Sequence, residues 1–267
     1  MGNSSYALIT GASQGIGKAI ATELASRGYN VVLVARTELL LEELASELRE
    51  KFKVHALVCP ADLADPASPQ KIKEFCETKQ LPVSILVNNA GYAVFGLFET
   101  TPLQAQLDMI QVNNHTMISL CHAFIPILKQ QQKAYIMNIA STSAFQAVPA
   151  MGLYAASKSL VILFSRALQM ELEKTNVHVC CVIPGPTDTG FITRANLGSS
   201  IKEMAAKFEW PPAKVAKIAV KKMFAGAVEV IPGLMNQVSY IFLKVAPKRI
   251  GERIAAGIYL KEAGRRG

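Results

Sequence analysis

The residues with the clearest chemical potential are Tyr154 and Lys158 in the run Tyr-Ala-Ala-Ser-Lys, with Ser141 thirteen positions upstream. A spacing of four puts both ionisable groups on one face of a helix, one turn apart. An ammonium beside a phenol favours the phenolate, so Lys158 is expected to pull Tyr154 below its reference pKa of about 10. A phenol tuned in that way can give and take a proton near neutral pH. Such a pair is also common on solvated helix faces, so its meaning depends on what the rest of the chain brings to it.

A strand, a turn and a helix near the start supply the first partner. Tyr6–Thr10 is a short apolar run that reads as a buried strand, and it leads straight into Gly11-Ala-Ser-Gln-Gly15-Ile-Gly17 and a helical stretch over 18–26. Glycines between a strand and a helix N-terminus let backbone N–H groups approach a pyrophosphate, which the helix dipole favours. The second strand, 30–35, ends in Ala35 followed by Arg36-Thr37. An acid at that point binds a ribose 2′-hydroxyl, whereas arginine accommodates a 2′-phosphate. The reading is therefore NADP(H) rather than NAD(H).

Strands and helices then alternate without a linker. A helix with Leu39, Leu40 and Leu44 on overlapping faces covers 37–52, and a strand over 54–60 delivers Asp62 and Leu63. Asp62 is placed to meet an adenine amino group or to cap a turn. A helix over 66–80 leads to a strand over 83–87 that ends in Asn88-Asn89-Ala90-Gly91. One long helix is expected over 103–131, strands over 135–138 and 178–183, and a helix over 154–174. This alternation implies α/β architecture, a doubly wound parallel sheet of about seven strands with helices on both faces, its ligand at the carboxyl ends of the strands.

Composition narrows the alternatives. Five cysteines in no C-x-x-C spacing read as reduced thiols of a cytoplasmic protein, and the four histidines form no metal-binding pair. The first strand begins at Tyr6, which leaves no room ahead of it for a signal peptide. Residues 207–267 hold 12 Lys/Arg against 4 Asp/Glu, so they carry the whole net charge of +8. Such a tail can approach an anionic membrane or an acidic partner, although solvated helix faces explain it equally well. No nucleic-acid motif accompanies the charge, and no metal or nucleic-acid partner is expected.

In their order, TGASQGIG at 10–17, ADL at 61–63, NNAG at 88–91, VN at 112–113, Ser141 with YAASK at 154–158, and PGPTDT at 184–189 resemble the short-chain dehydrogenase/reductase family, in its compact single-domain form. The resemblance spans about 180 residues and implies a Rossmann-type fold over 1–231 with an added segment, 232–267, in one domain. It implies Tyr154 as general acid in carbonyl reduction and as base in alcohol oxidation. Lys158 would tune Tyr154 and hold the nicotinamide ribose, Ser141 would polarise the substrate oxygen, and Asn113 would support a relay water. Asn114 and Ser143 are the neighbouring alternatives to Asn113 and Ser141. The cofactor would be framed by Gly11, Ser13, Gln14, Gly15, Ile16, Gly17, Arg36, Thr37, Asp62, Leu63, Asn88, Asn89, Ala90, Gly91, Pro184, Gly185, Thr187 and Thr189, besides Tyr154 and Lys158.

The family's short ending after a seventh strand is absent. Val228–Ile231 could still be that strand, but about 34 residues follow Pro232-Gly233, patterned as one or two amphipathic helices with cations at their edges. They are expected to pack over the substrate pocket or to touch a membrane. The tail is similar to those of bacterial short-chain reductases and, more loosely, of the hydroxysteroid and 3-ketoacyl reductase branch. A mobile substrate loop is expected over 191–212, and Phe95, Phe145, Met151, Phe191 and Met204 outline an apolar pocket for a carbonyl or alcohol substrate. Dimerisation through the two long helices is what the resemblance implies. The competing reading is a dinucleotide-binding scaffold or sensor without efficient turnover.

Overall fold

The computed structural model describes residues 5–188, 198–206, 209–245 and 248–264. Seven strands form a parallel sheet in the order β3-β2-β1-β4-β5-β6-β7. They are β1 Tyr6–Thr10, β2 Asn30–Ala35, β3 Ala56–Pro60, β4 Val83–Asn88, β5 Ala134–Ile139, β6 Val177–Val182 and β7 Glu229–Val230. β1, β4 and β5 are buried along their whole length. Continuous Val, Ile and Leu runs of that kind suit strands covered on both faces, because successive side chains point to opposite sides.

The two faces are visible in the packing. Ala7, Ile9, Leu33, Ile85 and Val87 belong to one core cluster. It includes buried residues of α1 (Gly15–Ser26), α2 (Glu38–Phe52) and a later helix, Pro212–Phe224. Leu8, Val32, Val34, Leu86 and Ile136 belong to the other. That cluster draws on α3 (Ser68–Thr78), α5 (Thr116–Leu128) and α6 (Gly152–Glu171). On α2 the buried stripe is Leu41, Leu44, Ala45 and Leu48, while Leu39 and Leu40 are exposed. The leucine run therefore misplaces the helix's inner face by part of a turn, since only the 3.6-residue spacing back to the sheet decides it.

The long helix expected over 103–131 is broken in phase. α4 (Leu103–Ile110) passes through a π-helical turn at Gln111–His115 before α5 begins, and α5 ends at Leu128 shortly after Pro126. Beyond β6 come α7 (Ser199–Ala206), α8 (Pro212–Phe224), the two-residue β7, α9 (Leu234–Val245) and α10 (Lys248–Gly264). Part of the expected mobile loop is thus helical. Trp210 is tied to the end of β6 as well, its N–H donating to the Pro186 carbonyl at 3.1 Å and its carbonyl accepting from Asp188 at 3.2 Å. Phe191 and Thr189 lie outside the described residues.

Strand order reverses between β1 and β4, and a crevice opens outside the carboxyl ends of strands at such a point.

Candidate active site

A cleft of about 1160 Å³ occupies that crevice. It exceeds the roughly 300–1,000 Å³ of a single small-ligand pocket, so it has room for an extended ligand and a second molecule beside it.

Its floor is built by the glycine turn. Gly11 and Gly15 sit at φ 64° and 58°, the left-handed region that favours glycine. Asn89 clamps the turn, its Nδ2 donating to the Thr10 carbonyl at 2.9 Å and the Gly11 carbonyl at 3.2 Å. The Thr10 hydroxyl in turn accepts from the N–H of Asn89 at 3.0 Å and of Ala90 at 3.1 Å. Gln14 precedes α1 without a side-chain cap, so the first-turn N–H groups are left to other partners.

Gly11, Ser13, Gln14, Gly15, Ile16, Arg36, Thr37, Asp62, Leu63, Asn89, Ala90 and Gly91 all line the cleft, as do Pro184, Gly185 and Thr187. Gly17 lies beneath the surface instead. A Cβ there would stand 2.2 Å from the Gly11 carbonyl oxygen and 2.4 Å from Asn89 Nδ2. Asn88 departs from expectation. It is buried and its Nδ2 donates to Asn138 Oδ1 at 2.9 Å, while Asn138 Nδ2 donates to Ser165 Oγ at 2.9 Å. Its amide nitrogen joins β4 to β5, while Asn88 Oδ1 is buried without a hydrogen-bond partner among the described residues. Asp62 faces the cleft while its Oδ1 also accepts from the Ala64 N–H at 3.1 Å, so it caps the turn as well.

At the far end of the cleft Tyr154 stands two residues into α6 and Lys158 one turn further on. Lys158 Nζ donates to the Ile139 carbonyl at 3.0 Å and sits 5.9 Å from the Tyr154 ring centroid. The expected lowering of the Tyr154 pKa is not what the protein provides. Burial pushes the phenol up to about 12, the Ser141 and Ser143 hydroxyls pull it down, and the Tyr259 phenol adds to the rise. Burial likewise drives Lys158 down to about 8. Desolvation wins because both groups are enclosed.

This has a measurable consequence for stability. A lysine in the unfolded chain titrates near 10.4. Between about 8 and 10.4 the unfolded chain holds a proton that the folded protein has released, so stability rises with pH across that window. The rise contributed by Lys158 is expected to be on the order of a few kcal/mol. Denaturant titrations of wild type and Lys158→Met from pH 7.5 to 10.5 should show wild type gaining relative to the variant. A difference that stays flat or falls over the range contradicts it.

Asn113 and Asn114 both lie in the π turn and take different partners. Asn113 Oδ1 accepts from the Tyr92 N–H at 3.0 Å, and its Nδ2 donates to the Tyr92 carbonyl at 2.9 Å and to Ser157 Oγ at 3.2 Å. A Cβ on Gly91 would lie 2.9 Å from Asn113 Oδ1 and 3.2 Å from Lys158 Nζ, so these two groups border the same glycine. Asn114 donates instead to the Ser157 carbonyl at 2.8 Å. The extra residue of a π turn is a frequent device for aiming a side chain at a site.

Other lining residues carry no motif. Tyr92 lies on the wall, its phenol raised by burial, with Asp108 and Asp62 adding to the rise and Arg36 opposing it. Gln146 Oε1 is buried in the wall and has no hydrogen-bond partner among the described residues, whereas the Ser143 hydroxyl is shared with Tyr154. Unmet capacity of this kind is what a polar group on a substrate satisfies. Phe145 and Met151 line the cleft, and Phe95 packs on the core cluster that includes Met151 and Tyr154. The side chain of Met204 lies outside the description.

The final helices reach the site too. Asn236 and Ser239 of α9 and Tyr259 of α10 line the cleft. Asn236 closes over the strand-end loop so tightly that a Cβ on Gly185 would meet its Oδ1 at 2.5 Å. Sequence patterning could place these helices near the pocket, but no spacing marks which of their residues face it.

A doubly wound parallel sheet with a glycine turn at the switch point and a Ser-Tyr-Lys group beside it defines a dinucleotide-dependent oxidoreductase. Residues 5–199 match the model of the short chain dehydrogenase family, and the chain belongs to that family. The chain is 31% identical over 234 residues to a 7beta-hydroxysteroid dehydrogenase of Mediterraneibacter gnavus, with 88% of each covered. A solved 7beta-hydroxysteroid dehydrogenase structure superposes with a TM-score of 0.84 at 28% identity, covering 94% of this chain and 96% of that one. A short-chain dehydrogenase from Sphingobium yanoikuyae in complex with NADPH gives 0.81 at 29% identity, covering 92% and 94%. Among the described residues no three His, Cys, Asp or Glu side chains gather as a metal site would require.

Proposed function

We propose that the protein is an NADP(H)-dependent oxidoreductase acting on an apolar ketone and its secondary alcohol, with Tyr154 as general acid in reduction and general base in oxidation. The observation that carries this reading is the placement of Tyr154, with the Ser141 and Ser143 hydroxyls beside it, at one end of a cleft whose other end is the glycine turn. The residues fit a dinucleotide: the uncapped start of α1 receives phosphates, and Arg36 stands after Ala35, where no carboxylate competes for a 2′-phosphate. A bound nicotinamide supplies or accepts the hydride.

The chain itself handles oxygen and proton. Ser141 and Tyr154 donate to the substrate oxygen, where negative charge develops in reduction. Tyr154 then yields its proton, and Lys158 and Asn113, bordering Gly91, hold the ribose side of the site and the path by which a proton returns. Phe145, Val148, Met151 and Ile201 make the substrate wall apolar. That wall suits a bulky alcohol such as the hydroxysteroid named for the relative from M. gnavus.

Residues 232–267 act with 1–231 as one domain on this reading, since the substrate wall needs both. The protein is cytoplasmic, with its five buried cysteines reduced. It is a homodimer joined through the exposed Leu107 and Ile118 of α4 and α5 and Leu160, Leu163 and Met170 of α6.

The test is a panel of aldehydes, ketones, steroids and acyl ketones assayed with NADPH and NADH. Turnover of bulky ketones is expected, with NADPH preferred. Arg36→Ser should cut that preference by roughly 10- to 100-fold, the worth of about 1.5–3 kcal/mol for hydrogen bonds to a charged group. Tight NADPH binding with no turnover across the panel hands the protein to the scaffold reading, and equal rates with both cofactors removes the role of Arg36.

A further inference from the structure

The last two helices present an unusual face to solvent. On a 3.6-residue period Leu234, Met235, Val238, Ile241 and Phe242 of α9 fall within one arc of roughly 120°. All five are exposed, between 53% and 74%. The opposite side of α9 is fixed to the protein. Asn236 donates to the Pro232 carbonyl at 2.7 Å, the Tyr240 ring packs on Phe145 with centroids 4.5 Å apart, and Arg166 Nη2 reaches the Tyr240 hydroxyl at 3.5 Å. The helix is therefore anchored with its apolar side outward. Single exposed leucines need no explanation, but five large apolar side chains on one face do.

α10 continues the pattern. Its exposed residues include Arg249, Arg253, Ile254, Leu260 and Lys261, whereas Glu252 is half-buried and Glu262 is buried. Among the described residues of 234–264, the exposed ones thus include cations and large apolar groups but no carboxylate. A helix face meant for water mixes both signs of charge, and one meant for a lipid interface looks like this.

We propose that α9 and α10 form a docking face for an anionic membrane surface. The apolar arc of α9 enters the boundary between headgroups and acyl chains, and Arg249, Arg253 and Lys261 meet lipid phosphates. A second copy of the chain fits the face less well, because a two-fold contact sets the same patch against itself and so opposes cation to cation. Docking is peripheral, since no helix among the described residues is long and apolar enough to cross a membrane. Asn236 and Ser239 of α9 and Tyr259 of α10 line the cleft, so an apolar substrate meets it beside the lipid. That last consequence rests on the function proposed above; the docking itself does not.

Flotation of the full-length protein with vesicles tests it, using phosphatidylcholine alone and phosphatidylcholine mixed with phosphatidylglycerol. The protein should float with the anionic vesicles, and the bound fraction should fall about tenfold on neutral vesicles or in high salt, as screening shortens the reach of surface charge. Two variants, Val238→Ser/Ile241→Ser/Phe242→Ser and Arg249→Glu/Arg253→Glu, should each lose about tenfold in bound fraction while keeping the melting temperature and the turnover of a water-soluble ketone. Wild type that stays at the bottom with both vesicles, or floats equally well after either replacement, overturns the proposal. A serine variant that instead splits a wild-type oligomer in light scattering assigns the face to a second copy. Ketone turnover is read separately, so failure of docking and failure of the catalytic reading are told apart.

Discussion

Tyr154→Phe is expected to lower kcat for carbonyl reduction by about 10³-fold, within the range of roughly 10²–10⁴ that a positioned acid contributes. The ring packs in a cluster with Val148, Met151, Ala155 and Ile201, and phenylalanine keeps that packing. Only the hydroxyl is lost. Because burial raises the phenol to about 12, it holds its proton throughout the neutral range and is a donor when a substrate oxygen arrives. With Ser141 holding that oxygen, as proposed above, KM should move far less than kcat in the variant. NADPH affinity, followed by fluorescence titration, should stay within about threefold, since the glycine turn and Arg36 are untouched. Steady-state rates within tenfold of wild type would falsify the assignment of Tyr154 as the acid.

Gly17→Ala should be the most damaging small substitution in the cofactor half of the cleft. The added methyl would stand 2.2 Å from a backbone oxygen of Gly11, 2.9 Å from its carbonyl carbon and 2.4 Å from Asn89 Nδ2. The Asn89 amide could swing aside only by giving up its bonds to the Thr10 and Gly11 carbonyls. The Gly11 oxygen cannot swing at all without moving a turn held at positive φ. Overpacking of a fixed core commonly costs about 1–3 kcal/mol, and backbone contacts put this case at the upper end or beyond. The expected result is loss of NADPH binding together with a melting temperature several degrees lower. A variant that binds NADPH as wild type does and melts at the same temperature shows that the turn has slack which the geometry denies.

The alternation of strands and helices and the cofactor floor could be read from local patterns because each depends on residues close in sequence. A buried strand running into Gly11-Ala-Ser-Gln-Gly15-Ile-Gly17 has few ways to fold, and Tyr154 and Lys158 carry their spacing with them. What escaped the sequence depends on contacts between distant segments. Asn88 adjoins a cofactor motif yet serves the sheet, because Asn138 lies opposite it on the neighbouring strand. The phase slip at Gln111–His115 leaves no compositional mark, since it adds no glycine or proline to the run. The pKa of Tyr154 reversed direction because a spacing of four reports proximity to a charge but not the depth of burial. Tyr92, Gln146, Asn236 and Tyr259 were missed for the same reason, each reaching the cleft from a segment whose own pattern is ordinary.

Arg166 pairs with Glu229 and reaches Tyr240, whose ring rests on Phe145 in the turn just after Ser141. The brace therefore runs from the last third of the chain back to the loop that carries Ser141. In order of synthesis, the glycine turn, Arg36, Asp62 and the loop at 88–91 are all made within the first hundred residues. The wall with Asn236, Ser239 and Tyr259 is made more than a hundred residues later. A growing chain thus acquires the means to hold a dinucleotide long before it can enclose a substrate.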